Sequence, residues 1–227
     1  MGNNFFVDED RFTHRFFTRV IDLFWLGILT CVCCIPIITI GASFSSLFYC
    51  CSKIAKKEDY SLTKQFFGAF KSNFKNGVFL TVAMVVIYEF VYTSYLLLSS
   101  PEMLLGEGAV VSDWIKGLLI IVCVYLMLVS VHFWPLQATF ENRVSQIFKN
   151  SCIISVMNLP WTVLVFVLYA FPFVISFFFP ELIPIMIMFG FSVPYRISVN
   201  IYRRVFKKMT GEPVLDETVI ESDDIEE

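Results

Sequence analysis

The sequence predicts an all-α, polytopic membrane helix bundle of about five spans with two interfacial amphipathic elbow helices. Three observations carry that prediction. Of 227 residues, 57% are hydrophobic and only 16% charged, against roughly 25% charge in a soluble domain. Uncharged apolar runs recur along the chain, each near the ~20 residues that cross a bilayer. Between them, two short segments place aromatic and basic residues at helical spacing, the pattern of a helix lying in the headgroup plane.

The first 19 residues lack the short basic region and small-residue cleavage site of a secretory signal. Arg11, Arg15 and Arg19 lie four apart, and Phe12, Phe16 and Val20 repeat that spacing on another face. This predicts an amphipathic lead-in over 1–19. The first span covers 20–51, roughly 45 Å of helix and too long for an upright crossing of ~30 Å. Pro36 removes a backbone bond there and predicts a kink. A tilted, kinked single span is the first reading; a re-entrant hairpin broken near 36–41 is the second. Beyond the kink, Gly41 with Ser45 and Ala42 with Ser46 set small residues four apart, a face for close helix packing in lipid.

The first elbow occupies 62–76. Leu62, Phe66, Phe70 and Phe74 recur every fourth residue, with Phe67 and Ala69 on the same arc. Lys64, Lys71 and Lys75 fall within about 40° of one another on the opposite side. Asn73 interrupts the apolar arc, and leaving its carboxamide unpaired would cost roughly 1–3 kcal/mol. It is expected to bond the end of a neighbouring span.

The second span, 78–99, carries Glu89 at its centre. Residues 100–113 hold acids but no Lys or Arg. The third span covers 114–134 and ends at His132, Trp134 and Pro135. A second elbow over 140–151 carries Arg143 and Lys149. Phe66, Phe70, Phe74, Lys75 and Asn76 correspond to Phe140, Val144, Phe148, Lys149 and Asn150 at a constant offset of 74, consistent with a span–elbow–span duplication. The fourth span is 159–179, a turn follows at 180–184, and the fifth ends near 201, closed by Arg203, Arg204, Lys207 and Lys208.

Three parts follow: the lead-in 1–19, a membrane bundle 20–208 and an acidic tail 209–227. The tail holds eight acids from Glu212 onward and no base, so the remainder is net basic, 17 against 12. That composition predicts a disordered tail. The basic residues flank spans, which suits anionic lipid and argues against nucleic acid. Lys53 to Lys75 supplies six lysines, so both elbows and the C-terminus are expected in the cytoplasm. Five spans then set the N-terminus outside, against its three arginines.

The strings FWLGILTCVCCIPIITIGASFSSLFY and SLTKQFFGAFKSNFKNG resemble the YesL-like family of bacterial membrane proteins, catalogued as domain of unknown function 624. HFWPLQATFENRVSQIFKNS, with NLPWT after it, is similar to that family's second region. The resemblance runs from about Phe16 to Arg204, and the tail lies outside it. It implies a multi-pass plasma-membrane protein of Gram-positive bacteria, often encoded beside sugar-import components, with no demonstrated activity.

Catalytic strings are missing. There is no phosphate-cradling Gly-rich loop followed by Lys, no HExxH and no nucleophile elbow, so no enzyme and no cofactor are expected. Cys31 and Cys34 share a helical face without a His or carboxylate beside them, so no metal is expected either. Four ionisable groups remain at membrane depth. Asp22 is expected to pair with Arg19, and His132 and Arg196 to snorkel at span ends. Glu89 is the functional candidate, because a mid-span carboxylate is costly. It is expected to face the bundle interior, with Arg196 as a partner within reach. The first functional reading is an accessory or scaffold subunit bound to other membrane proteins, a sugar importer among them. The alternative is a small transporter or channel with a path near Glu89. An aqueous cavity reaching Glu89 favours the second; a Phe-filled bundle favours the first. Oligomeric state is left open.

Overall fold

The computed structural model describes residues 3–56, 61–99, 109–140 and 143–210, with side chains over 17–54, 61–99, 113–140 and 143–210. Among the described residues all regular structure is helical. In chain order the helices are α1 (Asn3–Cys34), α2 (Ile40–Lys56), α3 (Leu62–Leu98), α4 (Ala109–Ser130) and α5 (Phe133–Thr139). They continue with α6 (Val144–Met157), α7 (Leu159–Phe178), α8 (Ile183–Phe189) and α9 (Ser192–Thr210). Five stretches are long and apolar enough to cross a membrane, and α8 with α9 forms a further pair bent by 50°. The protein is an all-helical membrane protein, as composition and hydropathy require.

The division of the first span differs from the first reading. Pro36 breaks the helix, and a single 3-10 turn, Ile37–Thr39, reverses the chain between α1 and α2. The sequence explains how the break is held. Pro36 has no N–H to give, and the residue before a proline is driven out of helical geometry. Thr39 then sets its hydroxyl 2.6 Å from the Cys33 carbonyl and 2.7 Å from that of Pro36, satisfying carbonyls that the broken helix leaves free. The fold-back is fixed farther down, where Trp25 Nε1 donates to Thr63 Oγ1 at 2.8 Å. On one continuous rod those residues would lie more than about 45 Å apart. The second reading, a hairpin broken near 36–41, is the one the fold adopts.

Helix α2 is the axis of the molecule: 67% of its membrane-length window is buried, against 17% for that of α1. Its hydroxyls therefore close on its own carbonyls, Ser45 on Gly41 at 2.9 Å and Ser46 on Ala42 at 2.7 Å. Helix α3 runs antiparallel against it at backbone contact. A Cβ on Gly77 would stand 2.7 Å from the Ala42 nitrogen, and one on Gly41 2.6 Å from the Gly77 oxygen. Only glycine allows that approach. The gain is a bond from the Gly41 amide to Thr81 Oγ1, 3.2 Å, for an N–H in the first turn of α2 that has no acceptor within its helix.

The first elbow is not a separate helix. It continues into the second span as one 37-residue α3, because nothing between Asn76 and Val78 breaks a helix once Gly77 is packed. Its buried side is Phe66, Ala69, Gly77, Leu80, Thr81 and Met84, which faces α2. Lys64, Lys71 and Lys75 are exposed as the wheel predicts, yet Phe67 and Phe74 on the apolar arc are exposed too, since α2 covers only half of that arc. The second elbow, α6, is a separate helix that ends at Asn158. The lead-in is the start of α1, its side chains up to residue 16 lying outside the described residues, and the tail from 211 onward lies outside them as well.

The core joins Leu26, Phe48, Phe66, Phe133, Ile147 and Tyr202, all nearly inaccessible. Edge-to-face pairs tie it together, Phe48 with Tyr202 at 5.5 Å and Phe140 with Phe206 at 5.3 Å, geometries that aromatic quadrupoles favour.

Candidate functional site

Two features at the centre of the bundle could carry function, and they adjoin. The first is a polar node where α4 hands over to α5. His132 is 2% exposed, with Nε2 2.9 Å from Thr162 Oγ1 and Nδ1 2.8 Å from the Tyr202 hydroxyl. Tyr202 also lies 3.2 Å from the Val131 carbonyl, and Thr162 3.1 Å from that of Asn158. A neutral imidazole protonated at Nε2 satisfies the chain: Tyr202 donates to Nδ1, Nε2–H to Thr162, and Thr162 to the Asn158 carbonyl. His132 therefore does not snorkel. It ties together the α4–α5 junction, α7 and α9, and a buried network that is fully satisfied enforces one packing.

The second feature is a cavity of about 320 Å³ between α2, α4, α7 and the α8–α9 pair. Phe44, Tyr195 and Tyr169 form a continuous stack on its wall, with ring centroids 5.5 and 4.4 Å apart and planes within 7°. The Tyr169 hydroxyl is held by Ser198 Oγ at 2.8 Å, and Phe166 and Trp134 complete the aromatic lining. No charged side chain lines it. Such a space suits an apolar or flat guest and offers nothing to an ion.

The other residues singled out from sequence are dispersed. Glu89 is exposed on the outer face of α3, between the exposed Val85, Val86, Phe90 and Tyr92. It faces away from the bundle and from the cavity, contrary to the inward orientation expected of it. The upper half of α3 is apolar all round, so its wheel could not tell which side meets α2. Arg196 sits half-buried on α9 beside Cys51, and its electrostatic neighbours are Arg203 and Arg19, not Glu89. Asp22 is half-buried and forms no ion pair with Arg19 among the described residues. Asn73 bonds the Ala69 carbonyl of its own helix at 3.0 Å. The link to the neighbouring span runs instead from Gln137 Nε2 to the Asn73 backbone oxygen, 2.8 Å. Phe70 packs between Phe66 and Phe74 at 6.5 and 5.6 Å. Gly41, Ala42, Ser45 and Ser46 are all buried along α2.

Sequence reasoning passed over Tyr202, Thr162 and Tyr169. Each reads as one more apolar-span residue, and the partners that give it a role lie 29 to 70 positions away.

Residues 19–95 match the family described as "Protein of unknown function, DUF624". This is the family that the strings of the N-terminal half resemble. The matched stretch holds the α1–α2 hairpin and most of α3, including the Trp25–Thr63 bond, the Gly41–Gly77 contact and Glu89. The His132 node, the cavity wall on α7 and all of α9 lie beyond it. No curated protein and no solved structure matches the chain. The DUF624 stretch is thus the hairpin and its long partner helix, a packing unit and not a constellation of reactive groups.

Proposed function

We propose that this protein is an accessory subunit of the plasma membrane that docks on another integral membrane protein through the outer face of α3. Glu89 carries this reading. Val82, Val85, Val86, Glu89, Tyr92, Thr93 and Leu96 form one exposed stripe on α3, with the carboxylate near the middle of the apolar stretch. Leaving an acid there against lipid costs roughly 3 kcal/mol, a cost that a donor on a partner helix would offset. The transporter alternative asks for a path at Glu89, and Glu89 is not among the residues that line the cavity, which is walled by aromatic rings.

The resemblance to YesL-like proteins makes the membrane component of a sugar importer the first partner to test. A photo-reactive amino acid at Val86, in native membranes, should give one protein adduct whose mass and peptides identify an integral membrane protein. Glu89→Leu should abolish that adduct while leaving the isolated chain at least as stable in detergent. Adducts with lipid alone would sink the docking surface. An adduct of twice the chain's own mass would replace a foreign partner by self-association.

A further inference from the structure

We propose that Arg19, Arg196 and Arg203 together bind the phosphate of an anionic membrane lipid. On α9, Arg196, Asn200, Arg203 and Lys207 fall within about 60° of the helical wheel, about 100° round from the buried Tyr195, Val199, Tyr202 and Phe206. Helix α1 lies antiparallel to α8 at backbone distance and reaches the start of α9. A Cβ on Gly27 would strike the Met188 carbonyl and reach 3.0 Å from Ser192 Oγ, while Phe24 meets Phe189 at 5.9 Å. Counting away from those contacts along α1 and along α8 into α9, Arg19 comes level with positions of about 194–200, beside Arg196.

Three cations from two helices thus converge, and Arg196 lies within electrostatic reach of both others. Each is half-buried. Arg203 Nε is enclosed and has no acceptor among the described residues, although a buried charged donor normally has one. Asp22, one turn along from Arg19, pairs with none of the three. Like charges held together out of bulk water, with a donor pointed at nothing, call for an anion. The guanidinium fork matches the oxygens of phosphate.

The membrane is the source of that phosphate. The exposed Val193 and Ile197 flank Arg196 along α9. An acyl chain lying along them would bring its headgroup to the arginines. With the basic ends of the chain facing the cytoplasm, the cluster meets the leaflet richest in anionic lipid.

The test uses the full chain in nanodiscs and native mass spectrometry. Wild-type protein should retain phosphatidylglycerol over phosphatidylcholine after delipidation, and its thermal midpoint should rise when phosphatidylglycerol is added back. Arg203→Gln should weaken retention about tenfold, as loss of one charge-assisted bond implies. Arg203→Lys, which keeps the charge without the fork, should recover part of it. Arg204→Gln, one position along and exposed, should behave as wild type. Equal retention of both lipids, or equal loss in the Arg203 and Arg204 variants, would overturn the site. If inorganic phosphate reproduced the stabilisation at millimolar concentration, the lipid would be the wrong source and a soluble phosphate the right one. Should Arg203→Gln fail to fold, Arg19→Gln carries the same comparison from the other helix.

Discussion

Trp25 on α1 donates a hydrogen bond to Thr63 at the start of α3, so the two ends of the first hairpin meet. The start of α1 then lies on the same side of the hairpin as Lys53 and Lys64. With α1 and α2 doubled back, the N-terminal arginines start from the side on which the lysines at the end of α2 lie, the arrangement that the Lys/Arg rule favours.

Reporters fused to the two termini should therefore behave alike. A cytoplasm-active reporter should work at both ends and a periplasm-type or cell-surface reporter at neither. Activity of a surface reporter at the N-terminus alone would mean that the chain crosses once between Arg19 and Lys53, as a single kinked span.

The glycines of the α2–α3 contact should be intolerant and a distant one tolerant. Gly41→Val places a branched side chain against Trp134 Cζ3, the Gly77 carbonyl and Thr81 Oγ1, each within 2.6 Å of its Cβ. It should destabilise the protein by roughly 3 kcal/mol or prevent its insertion. Gly68 has nothing within 4 Å of an added Cβ, so Gly68→Ala should stabilise by about 0.5–1 kcal/mol. Thermal midpoints in one detergent compare them, and a tolerated Gly41→Val would show that the helices stand farther apart.

How far the fold could be read from sequence depended on what periodicity encodes. It gave helices, the second elbow as a helix of its own and the lysine face of α3, because those are properties of one helix in its surroundings; it drew a boundary between the first elbow and the second span that α3 does not have. It gave the break at Pro36 but not its direction. A kink and a hairpin share the same residues, and the deciding bond joins Trp25 to Thr63. Glu89 was visible as an anomaly, but its orientation depends on which side Gly77 turns toward α2. The His132 node was invisible as a set, since Thr162 and Tyr202 acquire meaning only by meeting it.

Within that node, losses should not add. Tyr202→Phe deprives His132 Nδ1 of its donor and should cost about 1–3 kcal/mol. Thr162→Val deprives the Nε2–H of its acceptor and should cost a similar amount. A cycle including the double variant should show coupling of at least about 0.5 kcal/mol, and simple additivity would mean that the imidazole is not shared.

The two faces of the first elbow should respond differently. Phe70→Asp puts a charge between Phe66 and Phe74 and should sharply reduce the yield of folded protein. Lys71→Gln alters an exposed side chain and should change stability by less than about 0.5 kcal/mol. Equal tolerance of the two would reverse the assignment of the buried side.

Helix α3 runs through 37 residues with no proline and no break, about 55 Å of stiff rod. It is pinned near its middle, at Gly77, against the axis of the bundle. It is in effect a lever with that glycine as fulcrum, Glu89 on one arm and the lysines on the other. A tilt of about 5° would displace Leu62 by about 2 Å. A force on α3 inside the bilayer would therefore reach its lysine-bearing arm through the Trp25–Thr63 bond and the Phe66 and Ala69 packing that hold that arm to the hairpin.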